Sequence, residues 1–206
     1  MSSVIKTLAG KPWLSGEDDI GAPADVQMFS LPLEKVGLRI FFAVATSLFL
    51  LFIVGYRLRM VYEDWVPLQE PITLWVNTGF LVFASLAFEW AKRAIAEGEM
   101  RSSRLAFYAG GVFSVLFITG QLSVWQQLSA TGHFVSSNPS SSFFYLLTGV
   151  HGLHLLGGLV AWARTVFRLQ PGSDPVAARM GVDLCTVYWH FLLLVWAVLF
   201  YLLLSS

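Results

Sequence analysis

The sequence has few charged residues and only one cysteine. Charged side chains make up 13% of its 206 residues, about half the share found in a typical soluble domain. Positive and negative charges cancel, so the chain has no net field that would attract nucleic acid. Cys185 has no second cysteine to pair with, which excludes an intrachain disulfide and a CxxC metal motif.

Long apolar stretches make up most of the chain instead. Hydrophobic residues account for 56% of the sequence, and a bilayer core about 30 Å thick requires about 20 mostly apolar residues in a helix. Five segments meet that requirement, with approximate bounds of 36–56, 72–91, 105–128, 142–163 and 182–204. They lack the alternation of a membrane β-barrel. The sequence therefore predicts an all-α polytopic membrane protein, with a bundle of five transmembrane helices over residues 33–206.

The basic residues are distributed unevenly across the five spans. Of the 13 Lys and Arg residues, only Arg57 and Arg59 fall on the side opposite the N-terminus. Basic loops are retained in the cytoplasm, so we predict a cytoplasmic N-terminus and a C-terminus across the membrane. Residues 1–32 are polar and lack the apolar core of a signal peptide. We predict that they form an extended cytoplasmic arm, which either lies on a neighbouring subunit or is disordered.

Several polar residues interrupt the predicted spans, where an isolated polar group is costly. His151 and His154 share one face of the fourth span, and His190 lies in the fifth. One interpretation is that these histidines bind a metal or a haem, with His151 and His190 as an axial pair. The simpler interpretation is that they are neutral and hydrogen-bonded between helices. The candidates for such structural and helix-packing roles are Asn77, Gln121, His151, Gly152, His154, Gly157, Tyr188, Trp189 and His190.

Pairs of opposite charge lie where the spans reach the predicted cytoplasmic side. Glu89 precedes Lys92 and Arg93 by three and four residues, and Asp183 follows Arg179 by four. These spacings place each pair on one helix face and favour ion pairs at the interface. The alternative is a path for protons or a contact with lipid headgroups. The candidate cytoplasmic-face residues are Trp90, Lys92, Arg93, Arg179 and Asp183.

Four motifs, in order along the chain, resemble those of a known family. They are an Asn-Thr and Trp-Ala pair in the second span, a glutamine-rich end of the third, a His-Gly-x-His segment in the fourth and Tyr-Trp-His-Phe in the fifth. From about residue 35 onward, the chain resembles subunit III of the haem–copper terminal oxidases, the cytochrome c oxidase subunit 3 family. The matching residues are Asn77, Thr78, Trp90, Ala91, Gln121, Ser123, 148–157, 188–191 and Trp196.

The resemblance implies an all-helical bundle beside the catalytic subunit I, which would hold the haems and copper. This chain would then contain no catalytic residue, metal ligand or cofactor of its own. It would stabilise subunit I, hold phospholipid and support proton uptake. Its expected partners are subunit I directly, together with subunit II and a small subunit or another respiratory complex, in a bacterial inner membrane. The electron donor, cytochrome c or quinol, is left open.

The sequence also departs from the family pattern. Many members have seven helices, and this chain matches the last five. Three buried acids of the family fall on Ala45, Leu193 and a position near Val124, whereas Asp183 stands where the family has a glutamate. The loss of three acids argues against direct proton transfer within the bundle.

The sequence is also compatible with two alternatives. The chain could be a subunit-III-like accessory protein of a nitric oxide reductase, which differs mainly in its partner. It could also be an independent transporter or a membrane haem or metal carrier that uses its three intramembrane histidines. The absence of internal repeats and of interrupted helices argues against a transporter.

Overall fold

The residues that a computed structural model of the protein describes form five long α-helices. The structure describes residues 33–66, 72–132, 134, 135, 137–170, 172 and 174–205. The helices are α1, Leu33–Arg59; α2, Thr73–Ala96; α3, Met100–Ala130; α4, Pro139–Arg168; and α5, Pro175–Leu204. Each is long and apolar enough to cross a membrane, and the described residues include no β-strand.

The prediction of an all-α protein with five transmembrane helices is therefore confirmed. The predicted arm, residues 1–32, lies outside the described residues. The cytoplasmic orientation of the N-terminus stays a prediction.

Capping residues extend the helices beyond the apolar stretches that define the predicted spans. The Asn138 side chain accepts a hydrogen bond from the Ser141 backbone N–H at 2.9 Å, at the start of α4. Asp174 does the same for Val176 at 3.0 Å, at the start of α5. A proline follows each cap, where its fixed φ suits the first helical position. Gly98, with a φ of 84°, completes a short turn between α2 and α3.

Four of the helices form a closed bundle, and α1 lies outside it. Residues Leu38–Ser206 form one unit; of the other unit, Met1–Gly37, the described residues 33–37 are helical. Within the larger unit, α2 packs on α3 and α5, and α4 packs on the same two helices. In the most apolar stretch of α1, 11% of residues are buried, compared with 44% in α2 and in α5.

Large aromatic rings fill the bundle, and small residues make room for them. Trp189 and Phe88 are fully buried, with ring centroids 4.4 Å apart. At Gly158 a Cβ would lie 2.6 Å from the Tyr188 ring and 3.1 Å from that of Trp189, whereas a Cβ at Gly157 would meet no atom within 4 Å. Of these two adjacent glycines, only Gly158 is therefore required for packing among the described residues.

Candidate functional site

Asn77 and Gln121 form a buried polar contact between α2 and α3. Asn77 Nδ2 donates to Gln121 Oε1 at 3.0 Å, and the two residues are 1% and 5% exposed. Gly120 makes room for the pair, because a Cβ there would collide with Asn77 Oδ1. Asn77 Oδ1 and Gln121 Nε2 are buried without a further hydrogen-bond partner among the described residues. A buried amide pair of this kind specifies how two apolar helices align.

Two tryptophan side chains add hydrogen bonds from α5 to its neighbours. Trp189 Nε1 donates to Ser114 Oγ of α3 at 2.7 Å. Trp196 Nε1 donates to Thr78 Oγ1 of α2 at 3.0 Å. Ser114 is not among the residues predicted from the sequence to have a structural role. The available signal was the position of these tryptophans within a span, because a buried indole N–H requires an acceptor.

His151 lies inside the bundle and is fully buried. Its ring centroid is 5.8 Å from that of Phe117 and 5.2 Å from that of Trp196. Phe49 of α1 approaches it at 6.5 Å. Neither ring nitrogen has a hydrogen-bond partner among the described residues. Aromatic packing therefore surrounds this histidine, in place of the interhelical hydrogen bond expected from the sequence.

His154 and His190 form hydrogen bonds within their own helices. In each, Nδ1–H donates to the carbonyl oxygen four residues earlier: Val150 at 2.8 Å and Thr186 at 2.7 Å. The bond between α4 and α5 at this level comes from the Tyr188 hydroxyl, which donates to the His154 carbonyl at 2.8 Å. The structure thus assigns the interhelical bond to the tyrosine and not to the imidazoles.

The three histidines do not converge on one site. His151 is enclosed by aromatic rings, whereas His190 is exposed on the outer surface of α5. Axial ligation of a haem by two histidines requires two rings that face each other. The rings of His151 and His190 do not face each other. Over the described part of the chain, no three His, Cys, Asp or Glu side chains are grouped as metal ligands would be.

A groove of about 220 Å³ runs between α3 and α4. Phe117, Gln121 and Gly152 belong to its lining. A Cβ at Gly152 would meet no atom of the described residues within 4 Å, so this glycine leaves a gap and closes no helix contact among them. The groove is almost wholly apolar, as expected of a surface that faces acyl chains or another helix.

Two ion pairs lie near the ends of α2 and α5, one within α2 and one between the two helices. Arg93 Nε contacts Glu89 Oε1 at 3.0 Å, which confirms the pairing predicted from their spacing. Asp183 contacts Lys92 Nζ of α2 at 3.1 Å, a partner that the sequence analysis did not name. Arg179 and Trp90 are exposed beside them. Partly exposed pairs of this kind add little stability.

The positions of the three missing acids are apolar in the structure as well as in the sequence. Ala45 and Val124 are buried, and Leu193 is half-buried against the hydrophobic core. None of these positions can hold a proton. The polar groups that remain inside the bundle are amides, hydroxyls, indoles and imidazoles.

Comparisons with known proteins all identify the same family. The family model described as Cytochrome c oxidase subunit III matches residues 38–205. The chain is 30% identical over 157 residues to "Cytochrome c oxidase subunit 3" of Thermostichus vulcanus, covering 74% of this chain and 77% of that protein. It is 25% identical over 194 residues to the protein of the same name from Corynebacterium diphtheriae, covering 90% of this chain and 94% of the relative.

Proposed function

Because the chain belongs to the cytochrome c oxidase subunit III family, we propose that it is a non-catalytic accessory subunit of a haem–copper terminal oxidase in aerobic respiration. It packs beside the catalytic subunit I and stabilises it. Oxygen reduction, coupled to proton translocation, takes place in that partner. The partner subunits hold the haems and copper, and this chain binds neither.

The observation that supports this role is that polar side chains inside the bundle form hydrogen bonds between helices. Asn77 pairs with Gln121, and Trp189 pairs with Ser114, in each case between helices. An intramembrane proton path requires titratable groups that connect with each other or with water. Here the amide pair and the indole of Trp189 bond between helices and hold them together, which is what a scaffold requires.

The distribution of basic residues and the exposed side chains support a membrane orientation, a set of partners and a lipid contact. We propose a cytoplasmic N-terminus in a bacterial inner membrane, since eleven of the 13 basic residues fall on that side. Subunit I is the direct partner, and subunit II and a small subunit complete the complex. The headgroup region of phospholipids is a suitable environment for the basic side chains and the exposed indole ring at this side of the bundle, which are Lys92, Arg93, Arg179 and Trp90.

Deleting the chain from its native membrane tests the proposal. We expect reduced-minus-oxidised haem spectra to remain largely unchanged, because the haems are held elsewhere. Oxygen uptake, or the stability of the purified complex, should fall. Full oxygen uptake and normal assembly in the deletion strain would contradict an accessory role. Loss of nitric oxide reduction in place of oxygen uptake would instead make the chain an accessory subunit of a nitric oxide reductase.

A further inference from the structure

His190 is a polar side chain on the outer surface of a membrane-spanning helix. It is exposed, whereas its sequence neighbour Trp189 is fully buried. It lies near the middle of α5, which runs Pro175–Leu204. At 1.5 Å per residue, about 20 Å of helix separates it from either end. The imidazole is therefore level with the hydrocarbon core of the bilayer.

The hydrogen bond that His190 makes determines what its ring can accept. Nδ1 lies 2.7 Å from the Thr186 carbonyl oxygen, and a carbonyl only accepts, so Nδ1 carries the proton. In the neutral imidazole, Nε2 is then a hydrogen-bond acceptor. The described residues supply no donor to it. Acyl chains have no donor either, and an unsatisfied polar group in hydrocarbon is costly.

His154 shows how the same chain covers a histidine in this state. Its Nδ1 donates to Val150 in the same way, at 2.8 Å. Its ring, however, is half-buried beneath α1, where the centroids of Phe41 and Phe49 lie 5.7 and 5.4 Å away. His154 thus lies under a helix of its own chain, whereas no described helix covers His190.

The exposed surface around His190 has the form of a helix-docking face. Val187, Leu194 and Tyr201 are 40%, 62% and 69% exposed. With His190 they recur at spacings of three, four and seven residues, which places them on one side of α5. The Lys92–Asp183 ion pair lies at one end of this face, since Asp183 precedes Val187 by four residues.

We propose that this face of α5 is the docking site for a transmembrane helix of a partner subunit, and that this helix donates an O–H or N–H to His190 Nε2. A serine, threonine, asparagine, glutamine or tryptophan at mid-membrane level would supply the donor. The inference rests on the proposed function, because it requires that the chain works within a complex.

The test uses the whole complex, purified through an affinity tag on this chain in graded detergent. His190→Leu removes the acceptor, whereas His190→Gln keeps an accepting carbonyl oxygen near the same place. Thr119→Leu is the matched control: Thr119 is an exposed polar residue of α3 whose hydroxyl bonds within its own helix. We expect His190→Leu to retain several-fold less partner subunit than the wild type, while the other two variants retain it normally. Wild-type retention by His190→Leu would overturn the proposal.

A second measurement leaves His190 unchanged. In a Cys185→Ser background, Leu194→Cys labelled with a photoactivatable maleimide should cross-link to the partner subunit on illumination, and Val115→Cys on α3, labelled in the same way, should not. Equal cross-linking at both positions, or none at Leu194→Cys, would also overturn it. A wild-type chain that purifies alone would instead contradict the proposed function, so the two failures are distinguishable.

Discussion

Side-chain hydrogen bonds link the four helices α2–α5 to each other, whereas α1 meets them through aromatic rings. Asn77–Gln121 and Trp196–Thr78 connect α2 to α3 and α5. On α1, Phe42 stacks on Phe191 of α5 with centroids 4.3 Å apart. At its far end, Arg57 donates to Ser205 Oγ at 3.0 Å.

The difference follows from where each helix can obtain its stability. Lipid chains are as apolar as leucine side chains, so helices in a membrane gain little from apolar contact alone. The bundle combines close packing with directional hydrogen bonds. Ring stacking attaches α1 without specifying its alignment as strictly. We therefore expect substitutions in the bundle to have larger effects on unfolding than substitutions in α1.

The largest effect is expected at Gly158. Gly158→Leu forces side-chain atoms against the rings of Tyr188 and Trp189, and overpacking of this kind costs about 1–3 kcal/mol of unfolding free energy. An SDS titration of the purified chain measures it. The neighbouring Gly157→Leu faces open space and is the matched control. Equal destabilisation by both variants would show that α4 and α5 do not pack as described.

The amide pair is expected to have the next largest effect. A double-mutant cycle of Asn77→Leu and Gln121→Leu isolates the contact between α2 and α3. Hydrogen bonds between membrane helices contribute about 0.6 kcal/mol on average and up to about 1.7 kcal/mol. We expect a coupling energy in that range in the same SDS titration. A coupling energy of zero would mean that packing alone determines how α2 and α3 align.

Substitutions in α1 should have smaller effects. Phe42→Leu keeps an apolar side chain but removes the stack on Phe191, and such a stack contributes about 0.5–1.5 kcal/mol beyond buried area. We expect a loss at the low end of this range, because α1 is open to lipid on its other side. Leu51→Met, at a position that is 70% exposed, is the control and should leave the SDS midpoint unchanged.

The smallest effect is expected at the C-terminal end of α1, which is Arg59. Arg59 forms a two-point ion pair with Asp64 and lies over the Tyr62 ring, 4.9 Å from its centroid. The hydrogen bond from Arg59 holds the pKa of the Asp64 carboxyl below its ordinary value of 3.8. The contribution of this pair is therefore present above that value and is lost as the pH falls through the lowered pKa.

Carbon NMR of the Asp64 carboxyl measures this pKa directly. We expect its titration midpoint to lie below 3.8 in the wild type and to return toward that value in Arg59→Gln. An unchanged midpoint in Arg59→Gln would mean that the ion pair does not form in solution. Unfolding should barely respond, because the side chains of this pair are partly exposed to solvent.

Much of the fold could be predicted from the sequence, and less of the candidate site. Five apolar stretches, with proline and glycine between them, gave the number of helices. The spacing of Glu89 and Arg93 gave their ion pair. The pairing of Asp183 with Lys92 could not be predicted, because it depends on which helices become neighbours. The packing of Phe117 and Trp196 around His151 also depends on which helices become neighbours.

The sequence by itself determined five membrane-spanning helices. In a bilayer every backbone N–H and C=O must be hydrogen-bonded within the protein, and a single apolar stretch achieves this as a helix. The sequence also determined a family through short motifs in a fixed order. Only the tertiary structure decided that four helices close into a bundle while α1 stays outside. Only the tertiary structure decided that His151 is enclosed, His154 is covered by α1 and His190 faces outward. The physical reason is that helix spacing places residues on a face, whereas packing between helices decides what each face meets.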